Sequence, residues 1–294
     1  MGSEAFERFR AAVSASAVPA GLHAVWRGLE PDPEPGQLWR ARVDDIAELV
    51  LLVTVTDRSV TAAPVTVDAD YADGHALTVP ADASPLGVPT TVWIGLTDTV
   101  PMRTLDRSAG RLAPADADVL SAVRGTGQPG AAVVSAAQPV AEYRARLADC
   151  MDALAAVSTE IPGTGELRSL LAAAGLKPSR LVELGMGTPR ALAVSRGTAA
   201  VNEQEANALG TELNRTVDEI LSANPAPPAD LVTWLDRPRR RRHLEQLADQ
   251  RGIGTDEARV HAAYDVYALA AREPGGSIDW NARLDRYFDL VLDD

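Results

Sequence analysis

Among the 294 residues there is a single cysteine, Cys150. An intrachain disulfide is impossible, and a zinc site built on cysteines is excluded. Aromatic residues are scarce, with 5 Trp, 5 Tyr and 3 Phe, so Ala and Val supply much of the apolar content. Small aliphatic side chains suit helix packing and narrow strands better than a large aromatic cavity. No apolar run approaches the ~18 residues of a membrane-spanning helix. Glu4 and Glu7 come before any apolar stretch, which argues against a secretory signal. The four histidines, His23, His75, His243 and His261, lack metal-ligand spacing. Asp68, Asp70 and Asp73 alternate in a turn with no calcium loop after them, so we expect a solvated hairpin there. No phosphate-binding loop, dinucleotide fingerprint or Gly-x-Ser-x-Gly elbow occurs. We therefore expect a soluble, cytoplasmic protein with no cofactor, no metal and no membrane partner.

Positive charge is also short: the net charge is −13. That argues against non-specific coating of nucleic acid, which needs clustered Lys and Arg. Groove binding depends on local charge and stays open.

The texture of what is present changes along the chain. Phe6, Phe9 and Val13 have helical spacing in residues 4–17, and the Glu-Pro-Asp-Pro-Glu-Pro-Gly run at 30–36 sets a first boundary. From 37 to 112, short runs rich in Val, Leu, Thr and Trp alternate with turn groups. Five or so strands are predicted, at 38–43, 49–56, 59–67, 76–79 and 91–96, forming a small barrel or half-open sandwich. A helix is expected at 113–123, a linker at 125–139 and a helix at about 139–158. In the last, Tyr143, Leu147, Cys150, Met151 and Leu154 form the apolar stripe, which makes Cys150 a packing residue. Short helices follow to about Leu221, then a proline linker at 224–228 and helices near 229–250, 255–272 and 279–292. The fold class is α+β, in segments 1–35, 36–124, 125–162, 163–223 and 229–294.

The strongest constellation lies between Glu166 and Leu221. Leu167, Leu170 and Leu171 line a first helix stopped by Gly175, and residues 178–184 form a second. Gly185-Met186-Gly187 supplies a turn, Thr188 an N-cap and Pro189 a first helical position for a third helix reaching Arg196. Helices at 202–213 and 216–221 complete a bundle of five. With Leu167-Arg168, Gly175-Leu176, Arg180-Leu181-Val182-Glu183-Leu184, Val194-Ser195-Arg196-Gly197, Glu205-Ala206-Asn207-Ala208-Leu209 and Val217-Asp218-Glu219-Ile220-Leu221, these 55 or so residues resemble the Cro/XRE helix-turn-helix family. The resemblance implies that the third helix reads bases. Thr188, Arg190, Ala191 and Ser195 are then expected on its exposed face, Arg190 toward guanine, with Arg180 and Arg196 toward phosphate.

Five arginines fall between Arg237 and Arg242. Arg239, Arg240 and Arg241 are expected either to grip phosphate or to form a solvated helix start paired with Asp236, Glu245 and Asp249. The aromatic spacing of Tyr264, Tyr267, Trp280, Tyr287 and Phe288 is similar to the helical extension of many actinobacterial helix-turn-helix regulators, which implies packing or dimer contact.

Residues 35–41, 50–53, 63–66 and 103–112 resemble, in order and phrasing, the MazF/PemK toxins, whose SH3-like barrel cuts RNA without a metal. In that family an arginine enters the second strand and a Thr or Ser ends the third. Thr66 matches the second requirement, but Ala47-Glu48-Leu49 stands where the arginine belongs. Loss of such a cation, by analogy with one oxyanion donor, costs roughly 3–4 kcal/mol of barrier. The barrel is therefore expected to lack catalysis and to serve partner binding or dimerisation, although Arg40, Arg42 and Arg58 offer substitutes for the missing cation.

The expected function is a DNA-binding transcriptional regulator, a homodimer on double-stranded DNA with a protein partner at the barrel. A toxin–antitoxin or phage-defence locus is the setting the resemblances imply. Two alternatives stand beside it. One is a metal-independent endoribonuclease fused to a DNA-binding module, with Thr66 catalytic, and the other is a protein-interaction scaffold.

Overall fold

Neighbouring residues of a strand point to opposite faces of its sheet. In β1 (Gln37–Val43), Leu38 enters one core while Trp39 and Ala41 enter another. In β2 (Ile46–Val55), Leu51 and Val53 join Leu38, whereas Val50 and Leu52 join Trp39. Both faces of the central strands are thus buried, which is why they read as nearly unbroken apolar runs. The structure is a computed structural model and describes residues 30–67, 72–113, 138–161, 163–270 and 278–292. The helices predicted at 4–17 and 113–123, the 125–139 linker, and Asp68 and Asp70 lie wholly or mostly outside the described residues.

The chain divides into two compact units, 1–158 and 159–294. The first holds a seven-stranded antiparallel sheet. Its remaining strands are β3 (Ser59–Thr66), β4 (Ala76–Val79), β5 (Thr90–Trp93), β6 (Asp98–Pro101) and β7 (Leu105–Arg111). Their order is β4-β5-β3-β2-β1-β7, with β6 also on β3, so among the described residues the path ends at β4 and β7 without closing. Five strands were predicted from the runs; β6 escaped notice, and β7 was marked only through the MazF/PemK resemblance of residues 103–112.

The helix predicted to connect two domains is α1 (Gln138–Ala155), and it belongs to the sheet. Met151 and Leu154 fill the core behind Trp39, and the Tyr143 ring lies 5.7 Å from that of Trp93. Arg144 fastens the helix by donating to Asp73 Oδ2 at 2.6 Å and to the Gly95 carbonyl at 3.2 Å.

The second unit begins with α2 (Leu167–Ala173), α3 (Pro178–Glu183), α4 (Thr188–Ser195), α5 (Glu203–Leu213) and α6 (Val217–Ser222). Leu167, Leu171, Leu181, Ala191, Val194, Ala206, Leu209 and Ile220 form their shared core. Asn202 and Thr216 each cap a helix through a reciprocal box with the Glu three residues on. The ends of the bundle are tied together: Leu167 N–H donates to the Ala223 carbonyl, and buried Asn224 pairs with both backbone groups of Val201. Gly163 is needed at this closure, because a Cβ there would lie 2.8 Å from the Asn224 carbonyl.

Four more helices follow: α7 (Ala229–Leu235), α8 (Pro238–Arg251), α9 (Thr255–Ala270) and α10 (Trp280–Leu292). The single helix predicted near 229–250 breaks at Arg237-Pro238. Proline has no N–H to continue α7 and forces the residue before it out of the α region; Arg237 is extended, at φ −66° and ψ 139°.

Candidate nucleic-acid interface

The α3–turn–α4 pair is held by the chemistry of its turns. Gly175 after α2 has φ +64° and Gly185 after α3 has φ +99°, a region that strains any L side chain. Gly187 is extended and caps α4, so Thr188 is the first helical residue and not the N-cap its side chain suggested. Pro189 takes the second position, where a missing N–H is harmless.

Ala191 was expected on the exposed face of α4, and the structure corrects this: it is 0% exposed and packs with Val194 in the bundle core. The reason is helical spacing. Positions 191 and 194 share one face, which turns Pro189 and Leu192 outward. Thr188 is exposed, and so is Leu192 at 38%. Ser195 is half-buried and its hydroxyl donates to the Leu192 carbonyl at 2.9 Å.

Most of the expected arginines have internal partners. Arg190 pairs with Glu205, the box residue of α5, and donates to the Ala200 carbonyl at 2.8 Å. That bond to Glu205 holds the guanidinium in its charged form. Arg180 reaches Glu212 through two bonds of 3.0 Å and Glu183 at 2.7 Å. The first of these contacts pushes its pKa up and that of Glu212 down. Arg196 is exposed, and among the described residues no ion pair holds Arg196, Arg168 or Lys177.

In the tail, Arg240 is 1% exposed and bonds Asp285 at 2.5 Å, with Asn281 beside it. Arg241 pairs with Glu245 along α8, and Arg239 donates to Asn281 Oδ1. Arg241 thus takes the Glu245 partner named in the alternative reading, an i,i+4 pair within α8, whereas Arg240 is bonded by polar groups that α10 brings against α8, a contact spacing could not reveal.

On the sheet, Thr66 is 9% exposed and its hydroxyl accepts from Trp93 Nε1 at 3.0 Å. Glu48 lies close enough to the Cys150 thiol to disfavour its thiolate. Cys150 is half-buried, with burial foremost and Glu48 next raising its pKa to about 11, so it is a poor nucleophile at neutral pH. Sequence reasoning missed one charged group here. Asp106 of β7, buried, accepts from Arg40, with Arg42 at 4.0 Å and Arg107 at 3.7 Å. Arg107 also bonds Glu30 at 3.2 Å. The cross-strand pairing of Arg40 with Arg107 creates this cluster, and register is not legible from one sequence.

Among the described residues no cluster of His, Cys, Asp and Glu is placed to hold a metal. None of their helices is long and apolar enough to cross a membrane. No protein-family model and no curated protein matches the chain.

Proposed function

We propose that the protein is a sequence-specific DNA-binding transcriptional regulator. One observation carries this: α4 follows α3 across a tight glycine turn, anchors through Ala191 and Val194, and leaves Thr188, Pro189, Leu192 and Arg196 exposed. A short helix seated that way suits a major groove. Thr188 would hydrogen-bond base edges, Leu192 would meet a thymine methyl, and Arg196 would hold phosphate. The resemblance to the Cro/XRE family adds weight, and on this reading the protein acts in the cytoplasm as a homodimer on a two-fold operator. We read the sheet as an SH3-like barrel of MazF/PemK type that binds a protein partner or completes the dimer. The inward Thr66 hydroxyl and Glu48 both argue against ribonuclease chemistry there.

A second reading, protein contact through the same face, is favoured by Val182 and Leu192, each 38% exposed, and by the internal pairing of Arg180 and Arg190. The decisive measurement is salt-titrated binding to DNA upstream of the protein's own gene against a shuffled duplex. The regulator reading expects a preference for the native duplex, lost in Leu192→Glu/Arg196→Ala. No preference even at low salt would move the weight to protein contact. Arg190→Ala is the wrong probe, since it removes a bond that positions α5.

A further inference from the structure

The cations of the five-helix bundle fall into two sets. Arg180, Arg190 and Arg215 each pair with a glutamate of the same bundle. Arg168 of α2 and Arg196 at the end of α4 are exposed, and among the described residues no ion pair or hydrogen bond holds either guanidinium. The fold nevertheless sets the two side by side. Gly197, next to Arg196, has φ +72°, and a Cβ there would lie 3.4 Å from the Cβ of Arg168 and 3.8 Å from its Cδ. The Arg168 stem thus lies along the turn that ends α4. Both backbones are fixed. Fully buried Leu167 donates its N–H to the Ala223 carbonyl at 2.7 Å and holds the start of α2. The Arg196 N–H donates to the Leu192 carbonyl at 3.1 Å, and the Thr198 N–H closes the turn on the Ala193 carbonyl at 2.9 Å. Glu166, the acid nearest to Arg168 in sequence, is exposed, and among the described residues no ion pair holds it.

Like charges on neighbouring rigid points repel, and a shared anion between them removes that repulsion. In a chain of net charge −13, carboxylates neutralise Arg180 and Arg190 but leave this pair open. Guanidinium forks match the oxygens of a phosphodiester, and stems rooted on fixed backbone lose less freedom on contact. We propose that Arg168 and Arg196 form a two-arginine clamp on the phosphate backbone of double-stranded DNA, at the opposite end of α4 from Thr188. The clamp rests on the regulator reading and extends it. There Arg196 alone meets the backbone; here α2, outside the α3–turn–α4 pair, supplies a second contact. Such contacts set the register of α4 on the duplex and carry no sequence preference of their own.

The experiment measures affinity of the full chain for the native upstream duplex and a shuffled duplex over a range of salt. For Arg168→Gln we expect weaker binding to both duplexes alike, an unchanged ratio between them, and a log–log salt slope smaller by about 1. Arg168→Gln/Arg196→Gln should lower the slope by about 2, and Arg168→Lys should keep most of it. Arg215→Gln removes the same charge from a residue already paired with Glu219 and should leave the slope as it is. Should the double variant lose its circular-dichroism signal, Arg168→Gln alone carries the test. An unchanged slope in folded Arg168→Gln, or an equal loss in Arg215→Gln, overturns the clamp while leaving the regulator reading intact. Arg168-dependent binding with no preference between duplexes supports the clamp and overturns the regulator reading. No binding to either duplex at low salt overturns both.

Discussion

His243 of α8 stacks on Phe288 of α10 with ring centroids 5.0 Å apart, and burial holds its pKa below the usual histidine value. Arg240 and Arg242 press in the same direction; Asp285 and Asp289 oppose them. A histidine whose folded pKa is lowered contributes stability that is full above about pH 6.5 and is lost as pH falls through the folded value. The unfolded chain then takes a proton that the native ring refuses. Acidification from about pH 7 toward 5.5 should therefore lower the thermal midpoint of the second unit, and His243→Gln should flatten that dependence. The window lies above that of the carboxylates Glu212, Glu219 and Asp285, whose pKa values are lowered and whose contributions fade only in stronger acid. An identical pH dependence in the variant would dismiss the role given to His243.

Among the elements, the short helices of the bundle depend on their ends. With 6 residues in α3, 8 in α4 and 6 in α6, none would persist alone in water. The shared core and the caps hold them. Asn202 accepts from Glu205 N–H at 2.9 Å, and Glu205 answers on the Asn202 N–H at 3.0 Å while also holding Arg190. Asn202→Ala should cost about 1 kcal/mol in denaturant unfolding. Glu205→Ala should cost more, because it also leaves the half-buried Arg190 without its carboxylate. Equal losses in the two variants would mean that the Arg190–Glu205 pair adds nothing. Helical spacing placed these two helix starts at Asn202 and Thr216 without their caps, and it held no sign of the ion pairs between helices.

Across the whole molecule, each unit has its own cores. The sheet has one on each face, α1 joining only the one around Trp39, while the second unit has one in the five-helix bundle and one around Leu231, Leu247, Ala262 and Phe288. Buried Arg259 ties the tail to the start of that unit, donating to the Thr159 carbonyl at 2.8 Å as well as to Asp236. A chain of residues 159–294 alone should thus keep its helical circular-dichroism signal and unfold cooperatively. Loss of helix in that fragment would show that the first unit is needed for its folding.

Much of this was written in local pattern. Apolar runs between turn residues marked β1 to β5, helical periodicity marked α1 to α6 within a few residues, and Gly175 and Gly185 marked the turns, because each signal acts through a few neighbouring residues. What required the folded chain was pairing at long range. Helical phase alone could have removed Ala191 from the outer face, but only tertiary contact assigns Arg190 to Glu205, Arg240 to Asp285 and Arg40 to Asp106. An arginine in a sequence is a charge of unknown address. Which carboxylate meets it depends on register and packing between segments that are 15, 45 and 66 residues apart, and that decides which charges remain for a partner.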